Sequence, residues 1–126
     1  MDAIKRIRNG VYMKVTEILK QDKPTISFEV FPPKKDTDFA DVEAAATSIA
    51  ELNPSYMSVT YGAGGSTKGL TIKLAEGIQN KYNVPTIAHL TCVCADKAGI
   101  SQALEDMKTA GIKNILALRG DIPKDY

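Results

Sequence analysis

The chain has 126 residues, 44% of them hydrophobic and 25% charged, a composition that excludes a disordered chain and suits one globular domain of the commonest size. Sixteen basic and fifteen acidic side chains leave a net charge of +1, so no global field draws the protein to nucleic acid or an anionic membrane, and a small molecule is the expected partner. No apolar run approaches the roughly 18 residues of a membrane-spanning helix, and the N-terminus has no apolar stretch with a small-residue cleavage site, so a cytoplasmic protein is expected.

An amphipathic helix is expected from roughly Met13 to Lys20. The first long strand, "TISFEVF" (25–31), alternates with Ile26, Phe28 and Val30 on one face, and Pro32 and Pro33 close it by removing ladder donors. A helix over 38–53 follows, with Phe39, Val42, Ala46, Ile49 and Leu52 at helical spacing, Asp38 able to cap or charge its start and Pro54 beyond its end. The second strand, "SYMSVTY" (55–61), runs into the glycine-rich "GAGGS" and a helix over 67–82 that offers Leu70, Ile72, Leu74, Ala75 and Ile78 for packing. A third strand, "PTIAHLTC" (85–92), precedes a helix over 96–111 whose final Gly111 suits a C-cap, and a fourth strand, "NILALRG", covers 114–120.

Strands alternating with helices of this length predict an α/β fold with parallel strands in right-handed βαβ units. Two architectures fit: an open doubly wound sheet, or part of an eight-unit (β/α) barrel, which needs about 250 residues. No linker, repeat or shift of composition divides the chain, so residues 1–126 are expected to form a single domain.

Polar residues recur at the ends of these strands. Glu29 to Thr60 is 31 residues, Thr60 to His89 is 29 and His89 to Arg119 is 30, with Asp121 just beyond. One βα unit separates each pair, so four units deliver polar groups to the carboxyl edge of the sheet, where parallel α/β folds place their ligands. Each has a plainer reading alone: Thr60 as a strand former, His89 as a hydrogen-bonded core residue, Arg119 and Asp121 as an ion pair. Glu29, between aromatic and β-branched neighbours, is a candidate general acid if burial strips its hydration; the alternative is a carboxylate in water or paired with Lys34 or Lys35.

The loop "TYGAGGSTKG" invites comparison with phosphate-binding loops, but neither stock pattern fits, because Thr67 stands where each requires its last glycine and Lys68 is followed by Gly69. Cys92 and Cys94 form a C-x-C pair with no second Cys/His cluster, which reads as structural thiols.

Together, "SFEVFPPK", "SVTYGAGGST", "AHLTC" and "ILALRGDIP", in that order and at these spacings, resemble the methylenetetrahydrofolate reductase family. The likeness runs from Ile26 to Pro123, roughly the first two-fifths of a family catalytic domain. The resemblance implies the first half of a (β/α)8 barrel with FAD at the strand C-termini, and an oxidoreductase in which NADH or NADPH and 5,10-methylenetetrahydrofolate use the site in turn. Carried over by position, it implies that Glu29 is a semi-buried general acid that opens the folate's five-membered ring. Thr60 would sit beside the glutamate and the flavin or nicotinamide. Tyr61, Ala63, His89, Arg119 and Gly120 would line the FAD, and Asp121 would tune it near the pyrimidine and the folate. The extra glycine of "GAGGST" departs from the more polar loop of many relatives. Four of eight units would leave open strand edges, so association with a missing half-barrel or with a second copy is expected. The alternatives are a non-catalytic small-ligand-binding half-barrel or a phosphate-binding α/β enzyme.

Overall fold

The computed structural model describes residues 7, 8, 11–62 and 66–126. Two short strands not expected from the sequence, β1 (Ile7–Arg8) and β2 (Val11–Tyr12), pair antiparallel ahead of α1 (Val15–Ile18). The helix expected from Met13 to Lys20 is thus one turn. Lys14 at its N-cap is extended and supplies no side-chain bond, and Lys20 to Lys23 offer nothing apolar to bury. So short a helix does not stand alone. It is held by burial of Val15 and Ile18 and by a 2.9 Å bond from the Val15 N–H to Asn114 Oδ1.

The remaining elements alternate: β3 (Ser27–Val30), α2 (Phe39–Ala50) after a 3-10 turn at Asp36–Asp38, β4 (Tyr56–Val59), α3 (Lys68–Tyr82), β5 (Thr86–Thr91), α4 (Lys97–Thr109) and β6 (Asn114–Leu118). The sheet order is β3-β4-β5-β6 and every pairing is parallel. The order never reverses. A doubly wound sheet needs a reversal to put helices on both faces. Here α2, α3 and α4 send Phe39, Ala46, Leu74, Ala75, Ile78, Ala103 and Met107 into one core with Val30, Met57, Val59, Ala88 and Leu90. All those strand residues lie on one face, because Val30 is level with Val59, Val59 with Ala88, and strand side chains alternate. Helices on one face and sequential parallel strands make this half of a (β/α)8-type barrel.

Helix ends differ in how they are satisfied. Asp38 stands at the N-cap of α2 but makes no capping bond, contrary to expectation, because the 3-10 turn before it gives it φ −96° and ψ 2° instead of an extended backbone. Asp96 does cap α4, accepting from the Gly99 N–H at 2.7 Å. Gly111 ends α4 as expected. At φ +75° its N–H reaches Lys108 O at 3.0 Å and the Ile112 N–H reaches Met107 O at 3.0 Å, the paired bonds of a Schellman stop.

Met57 is fully buried in β4, whereas Leu52, expected on the packed side of α2, lies in the turn beyond that helix and is 71% exposed. Met57→Ala is therefore expected to lower unfolding free energy by about 2–5 kcal/mol. Leu52→Ala should stay within about 0.5 kcal/mol. Urea unfolding of the two variants measures the difference, and equal effects would contradict the core described.

Candidate functional site

Parallel strands diverge into loops at their carboxyl edge, and side chains from separate strands share space there. The face of the sheet opposite the helices carries Glu29, Ser58, Ile87 and Asn114 on one rung, and Thr60, His89 and Leu116 further along. At its carboxyl end a cavity of about 530 Å³ is lined by Thr60 and Tyr61 after β4, His89 and Thr91 in β5, and Leu118, Arg119, Gly120 and Asp121 at the end of β6. A second hollow of about 510 Å³ shares Thr60 and Tyr61 and continues past Gly62, Ser66 and Thr67 to Phe31, Pro32 and Lys34. All four strand ends therefore border one trough.

Six expected site residues meet in the first cavity: Thr60, Tyr61, His89, Arg119, Gly120 and Asp121. Ala63 lies outside the described residues. Glu29 departs from expectation. It is exposed and lines a different hollow, about 380 Å³ between β3 and α2, with Asp41 and Val42. The semi-buried setting expected for it is not present, because β3 is the edge strand and its neighbour on the open face, Phe31, is itself 68% exposed. The register nevertheless puts Glu29 level with Ser58, two residues before Thr60 on the same face.

Burial rises toward the middle of the sheet. His89 and Thr91 are buried although no helix covers their face, because β5 has a neighbour on each side. Leu116 and Leu118 on β6 are open to water. The cavity thus has buried His89 and Thr91 on its β5 side and charges at its rim, where Arg119 Nε donates to Gly120 O at 3.0 Å and Asp121 follows. Burial raises the Tyr61 phenol above its usual pKa, against the opposing pull of Lys68. Lys68 itself is raised chiefly by its hydrogen bond to Asp106, and Asp106 is lowered first by that bond and then by Gln102. The 2.8 Å Lys68–Asp106 pair ties the first turn of α3, just after the glycine-rich loop, to α4.

Thr91 and Leu118 were missed as lining residues, although each lies two residues beyond a face-sharing neighbour, so period-two alternation from His89 and Leu116 could have found them. Cys92 is partly buried with its thiol directed to Leu90 O at 3.8 Å, and Cys94 is exposed. Among the described residues no cluster of three His, Cys, Asp or Glu could hold a metal, and no helix is long and apolar enough to cross a membrane.

The family model described as methylenetetrahydrofolate reductase matches residues 14–126. The chain belongs to the methylenetetrahydrofolate reductase family. Among relatives, methylenetetrahydrofolate reductase (NADH) 1 of Arabidopsis thaliana is 38% identical over 110 residues, which are 87% of this chain and 19% of that protein. Methylenetetrahydrofolate reductase 2 of Schizosaccharomyces pombe is 44% identical over 98 residues, 77% of this chain and 15% of the relative. The 5,10-methylenetetrahydrofolate reductase of Escherichia coli is 30% identical over 116 residues, 92% of this chain and 38% of the relative. This member of the reductase family thus spans about a fifth of the plant protein's length and under two-fifths of the bacterial one.

In this reductase-family chain, the rim of the cavity turns at Gly120. Its φ is +84°, and a Cβ there would collide with Thr91 Cγ2 and stand 3.0 Å from Val93 Cγ1. Gly111 has a similar φ of +75° but open space around it. Gly120→Ala should therefore cost about 1–3 kcal/mol and more than Gly111→Ala, as read by urea unfolding. Equal costs would show that the packing against Thr91 does not constrain the rim.

Proposed function

We propose that this chain supplies the FAD-binding edge of an oxidoreductase that reduces 5,10-methylenetetrahydrofolate to 5-methyltetrahydrofolate, with NADH or NADPH as the hydride source. The observation that carries the proposal is the convergence of Thr60, Tyr61, His89, Arg119, Gly120 and Asp121 from three strand ends on one cavity, in a chain of this family. The residues suit such a ligand. Hollows of about 530 and 510 Å³ fall within the roughly 300–1,000 Å³ usual for ligand sites. Their lining pairs apolar surface from Tyr61 and Leu118 with a fixed cation, a carboxylate and hydroxyls, as a flat ring with polar edges and a phosphate tail requires.

FAD, when bound, supplies the two-electron carrier between nicotinamide and folate. The chain's own groups position and polarise. The Thr60 hydroxyl can donate or accept at the ring edge. The Arg119 guanidinium at the rim can pair with anionic parts of a ligand. Asp121, at the rim of the cavity, would raise the energy of negative charge added to a flavin held there and so would favour hydride release. Glu29 holds a proton for the folate amine that leaves as the ring opens.

On this reading, residues 1–126 form one incomplete barrel domain. The outer edges of β3 and β6, unpaired among the described residues, are closed by further strands or by a second copy. The exposure of Glu29 favours a second reading for the isolated chain: an edge that binds the ligand without moving a proton.

Titration with FAD, followed by flavin absorbance and fluorescence at several protein concentrations, tests the proposal. Saturable binding is expected, with Arg119→Ala weakening it about tenfold or more. A folded chain that binds no FAD would sink the flavin reading, and binding that tightens with protein concentration would point to pairing of copies. If the complex turns over, Glu29→Gln should slow folate reduction by about 10²- to 10⁴-fold and leave flavin reduction by NADH or NADPH near the parent rate. Equal loss in both half-reactions would remove Glu29 from the acid role, and flavin binding without any turnover would select the second reading.

A further inference from the structure

The sequence names Thr67 only as the residue that breaks the phosphate-loop patterns and does not single out Thr71, yet both are buried beside the trough, Thr71 completely. The Gly62 N–H donates to Thr67 Oγ1 at 2.7 Å. The Thr67 and Thr71 hydroxyl oxygens are 3.3 Å apart, and Thr71 Oγ1 donates to Thr60 O at 2.8 Å. A hydroxyl has a single proton. Because that of Thr71 goes to Thr60 O, the bond between the two hydroxyls runs from Thr67 to Thr71. The four groups therefore form one directed chain, N–H to hydroxyl to hydroxyl to carbonyl, which leaves the backbone at Gly62 and returns to it at Thr60. On the opposite side of the same segment, Thr91 Oγ1 donates to Tyr61 O at 3.3 Å.

The segment needs such support. β4 ends at Val59, and although the Thr60 N–H still donates to Val30 O at 3.1 Å, residues 61 and 62 lie beyond the pairing with β3, where glycine at 62 widens the backbone's choice of conformation. The hydroxyls that hold it are rigid, since β-branched side chains have few rotamers and hydrogen bonds in a buried chain strengthen one another. Their helix is fixed in turn by the Lys68–Asp106 pair. Thr60 and Tyr61 are the two residues common to both hollows, so any shift of this segment changes both at once.

We infer that Thr67 and Thr71 are positioning residues: their hydroxyls lock the backbone from Thr60 to Gly62 in the geometry that presents Thr60 and Tyr61 to a ligand spanning the two hollows. For the identity of that ligand the inference rests on the flavin reading above.

Three variants separate this role from plain stability. Thr71→Val keeps the shape and removes the hydroxyl, Thr71→Ser keeps the hydroxyl, and Ile78→Ala makes a cavity about two turns further along α3, away from both hollows. FAD affinity, urea unfolding and amide exchange at Gly62 are read on each. Thr71→Val should weaken FAD binding about tenfold or more and speed Gly62 exchange, Thr71→Ser should stay within about threefold of the parent, and Ile78→Ala should lose stability with parent-like affinity. Thr67→Val carries the same test if Thr71→Val does not fold. Parent-like Gly62 exchange in the valine variant would overturn the hydroxyl chain. FAD affinity that simply follows stability across all variants would overturn the positioning role. A parent that binds no FAD would overturn the flavin reading alone, and Gly62 exchange would still judge the hydroxyl chain.

Discussion

Every crossover between β3 and β6 lands its helix on the same face of the sheet, and most of the molecule follows from that one-sidedness. A strand alternates its side chains, so a register that buries Val30, Val59 and Ala88 under the helices must aim the residues between and beyond them at the other face. A slip of one residue would exchange the two sets. Core and candidate site are thus two outcomes of one alignment. The hydrophobic free energy that seals the helix layer also holds Ser58 and Ile87 level with each other on the open side, with Thr60 and His89 following.

The open face is not uniform. Its two inner strands have neighbours on both flanks, and its two outer strands do not, so the setting grades from an exposed carboxylate on β3 to a buried imidazole on β5. Charges gather where water remains, at Arg119 and Asp121, and uncharged hydroxyls gather where it does not, at Thr67, Thr71 and Thr91. This division follows the cost of burying charge without a partner. It leaves the trough with a charged rim and a hydrogen-bonded floor.

Much of this was legible in the sequence, because period-two and helical patterns run through the four long strands and three long helices, and the spacing of about 30 residues put Thr60, His89 and Arg119 on one edge before any coordinates. The same patterns overran the strand ends: alternation in "SYMSVTY" continues to Tyr61, but the strand stops at Val59. Two-residue strands such as β1 and β2 show no period to read. Asp38 and Asp96 look alike in sequence, and only the backbone preceding each decides which one caps. For Glu29, alternation gave the face but not what lies across from it, which is a property of neighbouring elements. Nothing in the spacing of Thr67 and Thr71 names their partners, which emerge only when the end of β4 and the start of α3 are brought together.

The bond from the Val15 N–H to Asn114 Oδ1 joins residues 99 positions apart, and Asn114 Nδ2 donates to Thr86 O at 3.4 Å. Closing so long a loop brings its reward late, after shorter-range pairings have formed. Asn114 is set in place only when β6 lies against β5, and a one-turn helix has no stability to wait with. The turn of α1 is therefore expected to dock after β6 has paired with β5, and until then its apolar side faces water.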